Sequence, residues 1–199
     1  MKLKRISEAS MQEIVKAFSE YQYEAQEEGL YYLCKGKSGT EAYMKGFALA
    51  GIKSGWLHTI SEKEEGYIMI SEPTSKVRLS GLKDLILGIV KGMGLKGSIQ
   101  FFKDMKASGT SLESKLKEAH QDFVQIEMLV VKRAYQHQGY LRKLVQIAFD
   151  RAEHIPQKLL YLLLADSGEP CLKQGRRLPL LLLILEHRNH HRGRCMRPY

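Results

Sequence analysis

The 199-residue chain has little of what is typical of secreted or membrane-embedded proteins. It has three cysteines, Cys34, Cys171 and Cys195, and no CxxC pair, which argues against a disulfide framework and against a zinc site built on cysteine. No apolar run follows the charged N-terminus MKLKRISEAS, so a secretory signal is not expected. The longest apolar stretch, at 178–185, contains a proline and falls short of the roughly 20 residues that a membrane span needs. These absences predict a cytoplasmic protein with no membrane partner and no metal.

Internal repeats and linkers rich in Pro, Gly or Ser are also absent, and the shares of hydrophobic (44%) and charged (27%) residues are those of an ordinary globular protein. The length predicts one domain. The net charge is +9, but +6 of it lies within residues 171–199, so most of the charge belongs to a basic tail. No helix-turn-helix, RNP or zinc-finger pattern accompanies this charge, which leaves nucleic-acid binding as the least favoured interpretation.

Hydrophobic periodicity predicts a mixture of helices and strands. Ser7 stands at the N-cap position of the first helix, and Gly51 at the expected end of the second. The predicted helices are 9–21, 41–50, 79–92, 99–105, 112–120 and 141–153, and the predicted strands are 3–6, 56–60, 66–70, 123–131 and 159–164. This order predicts the α/β (α+β) class, with a mixed, mostly antiparallel central sheet flanked by helices in a single domain. We expect the domain to span residues 1–165.

The segment that indicates chemistry is a strand, a turn and a helix at residues 123–152, FVQIEMLVVKRAYQHQGYLRKLVQIAFDRA. The first backbone N–H groups of a helix have no partner within it, and the helix dipole places positive charge there, so this junction predicts an anion site. Gly139 allows a close approach to the backbone. Three basic residues are expected to add contacts: Arg133, Arg142 and Lys143. The buried face of the helix is predicted from Leu141, Leu144, Val145, Ile147 and Ala148.

The same residues resemble the signature of the GNAT superfamily of N-acetyltransferases, written Q/R-x-x-G-x-G/A after a strand of the form L-x-V. The residues 129–131, Leu-Val-Val, match the strand, while Gln136 and Gly139 match the first and fourth signature positions. Leu141 departs from the pattern, because the family has Gly or Ala at the sixth position, where a side chain is expected to crowd the ligand. Arg133 stands where a proline is common.

The resemblance implies a fold, a ligand and a reaction. The co-substrate is acetyl-CoA (coenzyme A), whose pyrophosphate is held in the family by the turn, here the backbone of Gln138, Gly139, Tyr140, Leu141 and Arg142, with Gln136 at the start of the signature. The strand carrying Leu129, Val130 and Val131 splays from its neighbour and binds the pantetheine arm. One of its amides stabilises the oxyanion formed when the amine of a small molecule or protein attacks the thioester.

Glu127 is the candidate general base, because it precedes Leu129 on the same strand and shares a face with Gln125 if the strand is regular. An apolar wall beside it is expected to raise its pKa towards a useful value. The alternative is a hydrogen-bonded or solvated carboxylate without a catalytic role. No general acid is assigned, because many family members use a tyrosine after the fifth main strand and this chain has none between Tyr161 and Tyr199.

Several alternatives stay open. The chain is either an N-acyltransferase or a non-catalytic acyl-CoA-binding module. Residues 73–121 are expected to contribute to substrate choice, and part of this stretch is expected to pack as core through Leu82, Ile86, Phe101 and Phe102. The atypical segment 166–199 is either the product of a shifted reading frame or a divergent end whose residues 178–185 supply a closing strand. A homodimer is also left open.

Overall fold

The computed structural model describes residues 1–20, 30–72, 74–107, 118 and 123–152, together with the backbone of residues 159–165 and 180–186. The elements are α1 (Glu8–Ser19), α2 (Leu30–Leu33), α3 (Lys37–Ser54), β1 (Leu57–Thr59), β2 (Gly66–Ser71), α4 (Leu79–Ala107), β3 (Val124–Val131), a 3-10 helix (Arg133–Tyr135), α5 (Tyr140–Ala152), β4 (Leu159–Ala165) and β5 (Leu180–Glu186). The helix predicted at 112–120 lies outside the described residues apart from the helical Glu118.

The strands form one sheet in the order β1-β2-β3-β4-β5. The β1–β2, β2–β3 and β4–β5 pairs are antiparallel, and the β3–β4 pair is parallel. The N-terminal residues extend the sheet beyond β1, where Leu3 N–H donates to Leu57 O at 2.9 Å. The predicted mixture of helices with a mostly antiparallel sheet is confirmed, and the described elements are consistent with a single domain. β5 overlaps the closing strand of the second C-terminal alternative, although the origin of this segment stays a prediction.

Helices cover both faces of the sheet. α1 and α3 bury one face, through a cluster that contains Met11, Ile14, Val15, Met44, Ala48, Leu57, Tyr67, Met69, Met128 and Val130. α5 buries the other face, through Ile68, Ile70, Val124, Ile126, Leu144, Ala148 and Ala152. Strands β2 and β3 therefore contribute side chains to two separate clusters, and β3 runs through the middle of the fold.

The predicted start of α1 is correct, whereas the predicted end of α3 is not. The cap on α1 is confirmed, because Ser7 Oγ accepts from Ser10 N–H at 3.0 Å. The predicted stop of α3 at Gly51 is wrong, because the helix continues to the left-handed cap Gly55 at φ 76°. Gly51 serves close packing instead, since a Cβ at this position would lie 2.6 Å from the Sδ atom of Met69.

α3 and α4 are antiparallel and touch through their backbones. A Cβ added to Gly88 would lie 2.5 Å from Ala42 O, and one added to Gly46 would lie 2.7 Å from Asp84 O. We call this contact the glycine seam; its glycines are Gly39, Gly46, Gly81, Gly88 and Gly92. The predicted helices 79–92 and 99–105 belong to this one element, which is interrupted at Gly94, where φ is 67° and ψ is 174°.

α4 buries only the side that faces α3. Phe101 is buried as predicted, whereas Leu82, Ile86 and Phe102 are exposed, so the prediction that these three pack as core is wrong. The glycine seam occupies the inner side of the helix, which leaves the larger apolar side chains on the outside. Among the described residues, α4 is the one helix long and apolar enough to cross a membrane, over Leu79–Lys106, and 17% of its most apolar window is buried.

Candidate functional site

Glu127 lies at a β-bulge in the middle of β3. Met69 of β2 is opposite Met128, and the next residue, Ile70, is opposite Ile126, so Glu127 has no opposite residue on β2. A bulge adds one residue to a strand and changes which face the following side chains occupy. Val124 and Ile126 accordingly lie in the α5 cluster, while Met128 and Val130 lie in the cluster of α1 and α3. The expectation of a regular strand is wrong at this position.

The half-buried carboxylate of Glu127 is held by β2, since Ser71 Oγ donates to its Oε1 at 2.6 Å. It also acts electrostatically on Tyr43 of α3. Burial is the main cause of the raised pKa of the Tyr43 hydroxyl, and electrostatic interactions with Cys34 and Glu127 add to it. The Tyr43 hydroxyl therefore stays protonated at neutral pH, within electrostatic reach of the carboxylate.

Tyr43 lies within the helix that hydrophobic periodicity predicted at 41–50, but it was not predicted as part of a site. It stacks on Phe47 with ring centroids 5.8 Å apart and lies 5.5 Å from the ring of Phe101. The surroundings of Tyr43, which is affected by the charge of Glu127, thus include aromatic side chains of α3 and α4.

The strands β3 and β4 part at the bulge. They pair at Val124, Gln125 and Ile126, which are opposite residues 160–162 of β4. Beyond this point β4 continues to Ala165 and pairs with β5 alone. Within the described residues, β3 has no register partner on β4 over residues 128–131, while its other edge stays paired with β2.

The backbone of Leu129, Val130 and Val131 therefore has N–H and C=O groups that point into the gap between β3 and β4. These three residues are opposite Ile68, Tyr67 and Gly66 of β2 on their other edge. Because backbone N–H and C=O groups alternate between the two edges of a strand, part of this backbone has no ladder partner on the β4 side in the part of the chain that the structure describes. An unpaired strand edge is a template for an extended chain that carries its own amides.

A tight turn joins the end of β3 to α5. The 3-10 helix Arg133–Tyr135 is followed by four turn residues, 136–139, and α5 begins at Tyr140. Gly139 has φ 76°, in the left-handed region, and a Cβ added there would meet no atom within 4 Å. The first bond of the helix runs from Lys143 N–H to Gly139 O at 3.4 Å. The N–H groups of Tyr140, Leu141 and Arg142 therefore have no acceptor within the helix.

The two glutamines of the signature hold the turn together. Gln136 Nε2 donates to Val131 O at 3.3 Å, and Gln138 Nε2 donates to Ala134 O at 3.0 Å. Leu141 is 54% exposed, so the prediction that it belongs to the buried face of α5 is wrong. It lies in the first turn of the helix, and the buried face of α5 begins with Leu144.

The turn carries positive charge that nearby acids do not neutralise. Arg133, Arg142 and Lys143 are exposed, and none of them forms an ion pair with an acid in the part of the chain that the structure describes. Lys132 differs, because its Nζ lies 3.5 Å from Glu13 and 3.8 Å from Glu64. Among the described residues, no three His, Cys, Asp or Glu side chains are grouped so as to hold a metal ion.

The chain was compared with models of protein families, with curated proteins and with solved structures, and none of them matches it.

Proposed function

We propose that the protein is an acyl-CoA-dependent N-acyltransferase that uses acetyl-CoA to acylate an amine of a small molecule or protein. The observation that carries the proposal is the parting of β3 from β4 after Ile126, on the strand that leads into the turn at Gly139. An open strand edge suits the two amides of a pantetheine arm. The free N–H groups and unneutralised cations of the turn suit the pyrophosphate at the end of that arm. A GNAT-like fold is part of this proposal.

In the proposed complex the acyl-donor site is built mainly from backbone. Residues 129–131 bond the pantetheine arm, and the amides of residues 138–142 bond the pyrophosphate. Gln136 and Gln138 contribute indirectly, because their side chains bond to carbonyls that fix the turn. Arg142 lies at the start of α5 and adds a charge-assisted bond to a phosphate oxygen. One amide of β3 beyond the bulge donates to the oxyanion of the tetrahedral intermediate.

Glu127 has the role of general base in this proposal. It lies where the two strands part, so a carboxylate there adjoins the place where the thioester ends the pantetheine arm. Ser71 Oγ donates to its Oε1 at 2.6 Å, which holds the carboxylate in place beside the bulge. It removes a proton from the substrate ammonium, directly or through a water, before the amine attacks the thioester carbonyl. The attack expels the coenzyme A thiolate, whose proton donor is unassigned.

A second candidate function is a binding module without turnover. The short Ser71–Glu127 hydrogen bond favours it, since a carboxylate that is engaged in holding a bulge has a structural role without any catalysis. In this case the strand edge and the turn bind acyl-CoA and no amine is acylated.

Titration calorimetry with coenzyme A tests the shared part of the two proposals, and release of free thiol from acetyl-CoA over a panel of amines separates them. An acyltransferase binds coenzyme A and releases thiol with at least one amine above the rate of spontaneous hydrolysis. Binding without release across small amines and lysine peptides favours the module. No binding of coenzyme A by the folded protein contradicts both.

A further inference from the structure

The outer side of α4 is an unusually apolar surface. Eight large apolar residues of this helix are exposed, and we call them the outer apolar face: Leu79, Leu82, Ile86, Leu87, Leu95, Ile99, Phe102 and Met105. Single exposed apolar residues are normal on a soluble protein, but a contiguous apolar surface marks a place of interaction. Leu79 is 78% exposed and Leu95 is 72% exposed, so these side chains lie in solvent rather than at the rim of the core.

The charges around this face are almost all positive. Five exposed lysines lie on α4: Lys83, Lys91, Lys96, Lys103 and Lys106. Both acids of the helix lie next to lysines of the neighbouring segments, with Asp84 paired to Lys53 and Asp104 paired to Lys35 at 3.6 Å. Lys76 and Arg78 are also exposed just before the helix. The outward charge of α4 is therefore positive, while its negative charges are bound to lysines of α3 and of the segment that precedes it.

We propose that α4 binds the surface of an anionic lipid bilayer, with its outer apolar face in the headgroup region and its lysines on the phosphates. Exposed lysines beside large exposed apolar side chains are typical of a helix that lies at a membrane interface. Lysine suits this position because its apolar stem lies along the acyl boundary while its ammonium reaches the headgroups. The proposal departs from the expectation that the protein has no membrane partner, and it does not depend on the acyltransferase proposal.

The geometry favours a helix that lies on the bilayer over one that spans it. Gly94 divides α4 into segments about 22 Å and about 20 Å long at 1.5 Å per residue, and neither crosses a hydrocarbon core of about 30 Å. Ile89 and Phe101 are also buried against α3 and α2, which fixes the helix to the rest of the protein.

A second copy of the chain is a poorer partner for the same face. A twofold contact places the same patch against itself, so the exposed lysines of α4 would meet those of the partner. Like charges at close distance are unfavourable, especially where apolar side chains exclude water. An anionic bilayer supplies both an apolar interior and opposite charge, which matches the two properties of the face.

Vesicle sedimentation of the full chain tests this proposal, with phosphatidylcholine vesicles compared with vesicles that also contain phosphatidylserine. We expect the protein to bind the mixed vesicles and to bind pure phosphatidylcholine at least tenfold more weakly, with the difference decreasing at high salt. The double variant Lys83→Gln/Lys91→Gln should bind the mixed vesicles about thirtyfold more weakly. Lys16→Gln/Lys63→Gln removes two exposed lysines outside α4 and is the matched control, with unchanged binding.

The apolar half of the proposal is tested by Leu87→Gln/Phe102→Gln, which should abolish vesicle binding at all salt concentrations. Leu141→Gln, at an equally exposed leucine on α5, is its control. Equal binding of the wild-type protein to both kinds of vesicle overturns the proposal, as does failure to bind either. A concentration-dependent dimer that Leu87→Gln/Phe102→Gln dissociates, without vesicle binding by the wild type, assigns the face to self-association instead. The comparison of the two kinds of vesicle uses the wild-type protein, so it tests the proposal even if a variant fails to fold.

Discussion

Ser71 of β2 donates a hydrogen bond of 2.6 Å to Glu127 at the bulge of β3, where the candidate general base lies. If Glu127 is the base, Glu127→Gln should lower the amine-dependent release of thiol by about 10²–10⁴-fold, because the amide cannot accept the ammonium proton. The affinity for coenzyme A should change little. The measurement is kcat/KM for the amine over a range of pH, together with calorimetry of coenzyme A.

The control for this variant is Ser71→Ala, which removes the hydrogen bond but keeps the carboxylate. We expect it to retain most of the activity and to shift the acidic limb of the pH profile, which a purely structural role would not do. A Glu127→Gln protein that is folded and as active as the parent would remove Glu127 from the mechanism and favour the binding module.

In the proposed complex, Gly139 lies in the turn that holds the coenzyme A pyrophosphate. Gly139→Asp places a negative side chain against the pyrophosphate and should weaken coenzyme A binding by about 100-fold or more. Gly139→Asn has nearly the same shape and also tolerates the left-handed φ of 76°, so it isolates the effect of the charge. Calorimetry of both variants, with thermal unfolding as a check of folding, makes the comparison. If the Gly139→Asp and Gly139→Asn variants bound coenzyme A with equal affinity, the proposed placement of the pyrophosphate would be contradicted.

The glycine seam predicts that replacing one of its glycines lowers the free energy of unfolding. Helix propensity alone predicts that Gly88→Ala stabilises the protein by up to about 1 kcal/mol. The added Cβ would lie 2.5 Å from Ala42 O, so we expect the variant to be destabilised by about 1–3 kcal/mol. Urea unfolding measures the difference. Lys91→Ala, at an exposed position of the same helix, is the control and should stay within about 0.5 kcal/mol of the wild type. If Gly88→Ala were more stable than the wild type, α3 and α4 would have to lie farther apart than the structure places them.

The lowered pKa of His58 predicts how the stability of the protein depends on pH. Burial, together with the charge of Arg151, whose guanidinium lies 2.7 Å from Nε2, lowers the pKa of His58 to about 4. The unfolded chain binds this proton near pH 6.5 and the folded chain does not, so stability falls as the pH decreases from about 6.5 to about 4. The shift corresponds to about 3 kcal/mol, which partial solvent screening reduces to about 1–2 kcal/mol.

Urea unfolding at pH 7 and at pH 4.5 measures this loss. His58→Gln cannot take up the proton, so its stability should fall less over the same interval, even if it is lower at pH 7. If the free energy of unfolding fell equally in the wild type and in His58→Gln, the acid sensitivity would come from other titratable groups.

Local rules were sufficient for the elements that depend on local interactions. The Ser7 cap, the β1–β2 pair, the strand before the turn and the helix after it are all where periodicity and capping residues placed them. Each of these helices has one clearly apolar face, while the strands are short and dense in apolar residues, as strands buried on both faces of a sheet are. The fold class follows from their order along the chain.

Features that depend on tertiary contacts were not predictable in the same way. Gly51 has the sequence character of a helix stop, but the side chain of Met69 needs the space above it. The bulge at Glu127 is set by the register between β2 and β3, which no local pattern encodes. Leu82 and Ile86 have core-like spacing, yet the glycines on the other side of α4 make the closer contact with α3. Small residues that allow backbone contact displace larger ones to the outside.

The glycine seam also has a mechanical consequence. No layer of flexible side chains separates α3 from α4, and close-packed contacts transmit a displacement instead of absorbing it. α3 in turn packs Met44 and Ala48 against the sheet and carries Tyr43, whose hydroxyl is affected by the charge of Glu127. A force applied to α4 therefore reaches the middle of β3 through one helix. The helix that carries the outer apolar face and the candidate reaction centre share a single rigid support.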